Sequence, residues 1–180
     1  MVYAASVGNW IMRHEPEIWA RTAKYVMLPT YLNYKLTGNL IDSASNQIGH
    51  IPFDYKNRRW MKPGSLTRCF CDVPNEKLCD LVPSGTVIGT ITDEVCALTG
   101  IPAGLPLIST GSDKGCETLG LAVVDSDKAS ISLGTTATIQ FSTTEYVEPQ
   151  QFLPATPACS TTTTIPRSRS YRGCGCCRGS

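Results

Sequence analysis

Leu107-Ile-Ser-Thr-Gly-Ser-Asp113-Lys114-Gly-Cys-Glu-Thr-Leu-Gly-Leu-Ala-Val-Val124, followed after a short polar gap by Ala129-Ser-Ile-Ser-Leu-Gly134-Thr135-Thr136-Ala-Thr-Ile-Gln-Phe141, decides the fold. An apolar run at 107–110 reads as a short, buried strand. It delivers the carboxylate Asp113 into a turn that opens a helix of small residues over 115–124. A strand at 130–133 then ends at Gly134-Thr135-Thr136 and reverses into a strand at 137–141. One candidate general base and one candidate phosphate loop thus lie about twenty residues apart. Together they point to phosphoryl transfer from a nucleotide to a hydroxyl.

The residue types fit that chemistry. A hydroxyl is a poor nucleophile until its proton is taken, and a carboxylate at a strand end can accept it. The plainer alternative makes Asp113 a helix N-cap. Gly134 permits close backbone approach, and successive N–H groups with a Thr hydroxyl can surround phosphate oxygens. Its alternative is an ordinary hairpin turn. The chain has no Gly-x4-Gly-Lys-Ser/Thr loop, and Gly111, Gly115 and Gly120 have the wrong spacing for a dinucleotide fingerprint.

Working outward, Pro16 between two acids opens a helix on which Ile18, Trp19, Thr22, Tyr25 and Val26 recur at helical spacing. Pro29 interrupts it, Thr30 caps a short helix at 31–36, and Gly38 stops that helix. Residues 39–53 read as loop and short strand, and 57–64 as an exposed connector. A strand or bend at 87–91 precedes a helix capped by Thr92 and ended at Gly100, and 102–106 is a turn. The order of strands and helices predicts an α/β protein.

Composition narrows the class. The 180 residues, 42% hydrophobic, suffice for one ordinary domain or parts of two. No apolar run reaches membrane-spanning length and no leader pattern opens the chain, so the cytoplasm is the expected compartment. Residues 1–158 hold 12 Lys and Arg against 15 Asp and Glu, whereas 159–180 hold four Arg and no acid. The body is therefore not a nucleic-acid binder, and only the tail would attract polyanions. Of nine Cys, four (Cys159, Cys174, Cys176, Cys177) fall in that tail. The odd total argues against a disulfide framework. His14, His50 and the Cys69/Cys71 pair lack partners at metal spacing, so no metal ligand is assigned. After Pro157 a Thr run gives way to Arg, Ser, Gly and Cys, a composition that predicts disorder.

Four stretches, in order, resemble the FGGY carbohydrate kinases, the group that includes xylulokinase and glycerol kinase. His14-Glu-Pro-Glu-Ile-Trp-Ala-Arg with Leu28-Pro-Thr-Tyr-Leu-Asn-Tyr-Lys-Leu-Thr-Gly38 is similar to a family helix and Leu-Thr-Gly turn. Ser45-Asn46-Gln47-Ile48-Gly49-His50 stands where members carry Ser-Asp-Ala-Ser-Gly-Thr or similar. Thr110-Gly-Ser-Asp113-Lys114-Gly-Cys-Glu-Thr-Leu-Gly120 resembles the segment that supplies the catalytic base. Ser132-Leu-Gly134-Thr135-Thr136-Ala137 resembles the Gly-Thr phosphate loop of the second domain. The resemblance runs through residues 6–158.

It implies two ribonuclease H-like (actin-like ATPase) domains closing on a cleft. Asp113 would deprotonate the acceptor hydroxyl, Asp113 and Lys114 would bind substrate, and Gly134, Thr135 and Thr136 would contact ATP phosphates, with Mg²⁺ required. The expected partners are a small sugar or polyol and ATP, with no nucleic acid or membrane, and a homodimer is admitted for the full-length protein. Lys114 replaces the Asn or Gln that often follows the base, which favours a different, acidic polyol. Asn46 and His50 also depart from common members.

Members are about two to three times this length. The expected division is 1–124 as the end of the first domain, 125–158 as the start of the second, and 159–180 as a non-matching tail. Negligible kinase activity is expected of these residues alone. Codons for Trp-Leu-Leu-Ser-Trp-Phe, read one nucleotide late, give Gly-Cys-Cys-Arg-Gly-Ser, the sequence at 175–180, so the tail reads as out-of-frame translation. The competing expectation is a non-catalytic binding fragment with a metal- or polyanion-binding Cys/Arg tail.

Overall fold

Local capping decides several elements of the chain. Thr92 accepts a bond from Val95 N at 3.3 Å and starts helix α4 (Asp93–Thr99), which Gly100 ends in the left-handed region at φ 77°. Gly38 ends α3 (Leu28–Thr37) in the same way, at φ 80°. The computed structural model describes residues 2–47, 53–66, 68, 71–125, 127–133, 138–143, 146, 156–157 and 169–173. Helices α1 (Val2–His14), α2 (Pro16–Arg21) and α3 lead into strand β1 (Ile41–Ser43) and a 3-10 turn at Ala44–Asn46.

Next come β2 (Phe53–Asp54), β3 (Arg59–Trp60), β4 (Asp80–Val82), β5 (Val87–Thr90), α4, β6 (Pro106–Ile108) and α5 (Asp113–Gly120). The strands β7 (Ala129–Ser132), β8 (Thr138–Thr143), β9 (Thr156–Pro157) and β10 (Arg169–Gly173) complete the order. Among the described residues β1 pairs β4 in parallel, β2 pairs β3, β5 pairs β6, and the last four strands lie in the order β7-β8-β10-β9. Cys71, Val73 and Leu78 form a small core over which Trp19, Tyr25, Met27 and Trp60 pack.

That core explains where the periodicity misleads. α2 stops at Arg21 rather than reaching Val26, because the next residues are held by other bonds. Tyr25 N donates to Lys77 O at 2.7 Å, Lys24 Nζ donates to Glu76 O and Leu78 O, and Lys77 Nζ donates to Thr22 O. α1 has no counterpart in the sequence reading. Pro29 lies in the first turn of α3, where its missing N–H is harmless, so it starts the helix rather than interrupting one. Thr30 is inside that helix, fully buried, and donates to Asp42 Oδ2 at 2.7 Å instead of capping.

The expected connector at 57–64 contains β3, whose Trp60 donates through Nε1 to Cys79 O at 2.9 Å. Trp60 also meets Phe53 edge-on at 5.5 Å. The strand expected to be buried at 107–110 is β6; among the described residues it pairs only with β5, and its Ile108 remains 45% exposed. Gly89 admits no side chain: a Cβ there would lie 2.5 Å from Asn39 Nδ2 and 2.9 Å from Thr37 Cβ. In the tail, Arg169–Gly173 pairs with β8 where composition predicts disorder, since backbone pairing needs no apolar side chain. Cys159, Cys174, Cys176 and Cys177 lie outside the described residues, as do His50 and Cys69.

Candidate active site

Asp113 stands at the entrance of α5, and the chain delivers it there through a buried polar chain. Ser109 N donates to Thr86 O and Gly85 N to Ser109 O, both at 2.8 Å, and Ser109 Oγ donates to Pro83 O at 2.8 Å. Ser84 is buried, and its hydroxyl donates to Thr110 O at 3.0 Å, since a carbonyl can only accept. Ser84 Oγ also lies 3.0 Å from Ser43 Oγ and 2.8 Å from Ser45 Oγ.

Ser43 N in turn donates to Asp42 Oδ1 at 2.7 Å. Asp42 is only 3% exposed, and neutral donors surround it. These are Thr30 Oγ1, Gln47 Nε2 at 2.9 Å and Asn46 Nδ2 at 3.2 and 3.3 Å. The loop before Asp113 is thereby anchored to β1 and the 3-10 turn.

At the helix start Ser112, not Asp113, is the N-cap: its Oγ accepts from Gly115 N at 3.2 Å. The plainer reading of Asp113 as a cap is set aside by that geometry. Asp113 is the first helical residue, and α5 ends at Gly120 rather than at 124. Its carboxylate is exposed, and Oδ1 accepts from Lys114 N at 2.6 Å.

Lys114 Nζ lies 2.8 and 2.7 Å from the two oxygens of Glu117 and 3.2 Å from Ser132 Oγ. An ammonium has three N–H donors, so all three are engaged within the protein. Glu117 was not singled out from the sequence, although an acid three residues after a Lys on a helix is a recognisable pairing signal.

Two further contacts fasten α5 and the turn that follows it to the β7–β8 strands. Thr118 Oγ1 lies 2.9 Å from Gln140 Oε1 and 2.8 Å from Lys114 O, both side chains being buried. Ser142 Oγ donates to Val123 O. Between helix and hairpin runs a cleft of about 370 Å³ lined by Glu117, Gly120, Leu121, Ser130, Ile131 and Ser132.

Gly134, Thr135 and Thr136 lie outside the described residues; Ser132 and Thr138, which bracket them, are register partners. Among the described residues no group of three or more His, Cys, Asp or Glu could hold a metal ion. The described side chains therefore furnish no cage for Mg²⁺. His14 Nδ1 lies 3.0 Å from Trp10 O and its ring stacks on Trp10, a local surface arrangement. None of the described helices is long and apolar enough to cross a membrane.

Comparison with known proteins places this arrangement. The chain is similar in structure to a xylulose kinase from Rhodospirillum rubrum, with a TM-score of 0.79 at 20% identity over 95% of this chain and 33% of that one. It is similar also to a gluconate kinase from Lactobacillus acidophilus, with a TM-score of 0.75 at 20% identity over 92% of this chain and 32% of that one. These neighbours define an α/β protein of the ribonuclease H-like, actin-like fold, present here in part.

The FGGY family of carbohydrate kinases, N-terminal domain, matches residues 1–120, and the chain belongs to that family. It is 41% identical over 105 residues to the uncharacterized sugar kinase YgcE of Escherichia coli (strain K12), covering 58% of this chain and 21% of that protein. It is 29% identical over 126 residues to the xylulose kinase of the same organism, covering 70% of this chain and 25% of the kinase. The chain thus spans about a quarter or less of the curated relatives it matches.

Proposed function

We propose that the chain is the segment of an ATP-dependent carbohydrate kinase that carries the general base, Asp113. One observation carries this reading. Within the family-matched residues, an exposed carboxylate stands at the first position of α5, on a loop fixed by a buried polar network. Asp113 accepts the acceptor hydroxyl's proton as the new O–P bond forms and the bond between the γ-phosphorus and its bridging oxygen breaks, leaving ADP. The proton then passes to solvent. Gly134, Thr135 and Thr136 are proposed to contact the ATP phosphates. Mg²⁺ would accompany ATP, and no step is assigned to it. The setting is the cytoplasm, with a sugar or polyol and ATP as partners and neither nucleic acid nor membrane involved.

The acceptor belongs to the class that the relatives' names span, small sugars and sugar acids. Lys114 is proposed to reach it only by releasing Glu117, because its three donors are otherwise engaged. Residues 1–124 are proposed as the end of the first domain and 125–158 as the start of the second.

The 180 residues alone are proposed to be inactive, since positioning and electrostatic stabilisation require the loop, metal and base together. Release of ADP by the purified chain with any of a panel of sugars would refute that. Replacing the matched segment of the E. coli xylulose kinase with this one is expected to restore phosphorylation of a sugar in the panel. A folded but inactive graft would refute the catalytic reading. Reading the coding DNA past Gln150 in all three frames tests the tail: kinase-like sequence in a shifted frame is expected, and its absence would refute out-of-frame translation.

A further inference from the structure

Ser130 carries a buried hydroxyl that the fold itself does not use. The residue is only 7% exposed, and among the described residues no group hydrogen-bonds to its side chain. A buried polar group without a partner is costly and calls for an explanation. Its register partner Gln140 shares its face of the strands and is satisfied by Thr118 of α5. Ser130 instead lines the cleft of about 370 Å³ between α5 and β7.

The rest of the wall is suited to a ligand. Ser132 lines the same cleft and accepts from Lys114 Nζ at 3.2 Å. An ammonium can only donate, so the Ser132 proton stays available to a further acceptor. Gly120 keeps the cleft open, because a Cβ there would meet no described atom within 4 Å beyond its own helix. Leu121 and Ile131 supply an apolar side, and Glu117 supplies a carboxylate. Small-molecule sites of this volume combine apolar walls with a few placed polar groups in the same way.

That wall selects its occupant. An apolar ligand would leave Ser130 unmet. A phosphate or carboxylate would face Glu117, whose charge Lys114 already matches at 2.7 Å. A cation would have to displace Lys114. A neutral polyol gives and accepts at each hydroxyl, as Ser130 and Ser132 require, and lays its C–H edges on Leu121 and Ile131. We propose that the cleft binds the far end of a neutral polyol of about six carbons, with Ser130 and Gly120 setting the length accepted.

The length follows from α5. Glu117 lies four residues from Asp113 on the same side of the helix, about 6 Å along its axis, and Gly120 about 10 Å along it. A three-carbon polyol at Asp113 is too short to enter the cleft, and an extended six-carbon chain reaches it. The link to Asp113 rests on the proposed phosphoryl transfer; the polyol site in the cleft does not.

Amide shifts of the isotope-labelled chain, followed by NMR during titration with sorbitol, glycerol or glucarate, test the proposal. Sorbitol is expected to move residues 117, 120, 121 and 130–132, with a dissociation constant of about 1 mM or below. Glycerol is too short, and glucarate carries a carboxylate at each end; both are expected to leave 120, 121 and 130 unmoved. Ser130→Ala removes a hydroxyl that has no partner in the fold. It is expected to leave remote amides unchanged and to weaken sorbitol about three- to tenfold. Gly120→Leu fills the cleft and is expected to abolish the shifts at 130–132. Should it disturb amides remote from the cleft, Ser130→Ala decides alone.

Sorbitol that leaves the cleft amides unmoved, or that binds Ser130→Ala as tightly as the unsubstituted chain, overturns the proposal. Shifts in the cleft produced by ATP or glucarate in place of sorbitol also overturn it. The two readings fail separately. Cleft shifts beside an inactive graft would keep the polyol site and refute the transfer; an active graft without cleft shifts would refute the polyol site.

Discussion

Replacing Asp42 with Leu is expected to destabilise the chain by about 3–5 kcal/mol and to loosen the loop before Asp113. The carboxylate accepts from Thr30 Oγ1 at 2.7 Å, Ser43 N at 2.7 Å and Gln47 Nε2 at 2.9 Å, and more weakly from Asn46. Thr30, Ser43 and Gln47 are all buried, so Leu leaves Ser43 N and Gln47 Nε2 without an acceptor and Thr30 Oγ1 with only the weak one of Cys79 Sγ at 3.9 Å. A buried donor stripped of its partner costs about 1–3 kcal/mol. Removing the desolvated carboxylate returns part of that sum, which leaves about 3–5 kcal/mol, a large share of the roughly 5–15 kcal/mol typical of a domain.

The assay is urea unfolding. With an m-value of about 2 kcal/mol/M the midpoint falls by about 2 M. Because Ser43 meets Ser84, and Ser84 holds Thr110 O, amide exchange at 110–113 is expected to quicken beyond the global change. A midpoint shift under about 0.5 M would refute the energetic argument. Unchanged relative protection at 110–113 would refute the connection to Asp113.

Burial pushes the Cys79 thiol up to about 11, ahead of the opposing bond from Thr30 and the nearby Asp42 charge, which raises it further. A raised folded value stabilises the fold fully below the unfolded value of 9.0, and that contribution is lost as pH climbs through 11. Urea unfolding at rising pH is therefore expected to show a loss of about 2–3 kcal/mol across that window, and Cys79→Ala to show a shallower one; parallel profiles would count against it. Gly89→Ala is expected to cost about 1–3 kcal/mol by overpacking against Asn39 and Thr37, read by thermal melting. Glu117→Gln frees Lys114 from its ion pair, and in an active graft it is expected to lower KM for sugar acids relative to neutral sugars. An unchanged ratio would show that Lys114 does not reach the acceptor.

Elements with local causes were legible in the sequence. Thr92 and Gly100 delimit α4 by capping, Gly38 stops α3, and the alternation on either side of Gly134 gives β7 and β8. What escaped is set by contacts between distant residues. The run from Trp19 to Val26 has helical spacing, yet bonds from Tyr25, Lys24 and Lys77 hold residues past Arg21 extended over the core. Thr30 resembles a cap, but Asp42, twelve residues later, accepts its hydrogen bond.

The same holds at the site. Asp113 was legible as a carboxylate at a strand-to-helix turn, and the family match covers it. Ser112 and Asp113 are both good caps, and only the backbone geometry decides between them. Reading Lys114 as a substrate contact left out Glu117 and Ser132, the latter eighteen residues away on β7. The Asp42–Ser43–Ser84 network has no sequence signature, because its members are ordinary polar residues that meet only after β1 and β4 pair.

The most direct test of the account places Asp113→Asn in the graft that carries this segment within the E. coli xylulose kinase, and measures ATP-dependent sugar phosphorylation at saturating substrate. Loss of the general base is expected to lower kcat by about 10²–10⁴-fold with the fold intact. Turnover equal to that of the unsubstituted graft would contradict the assignment of Asp113 as the base.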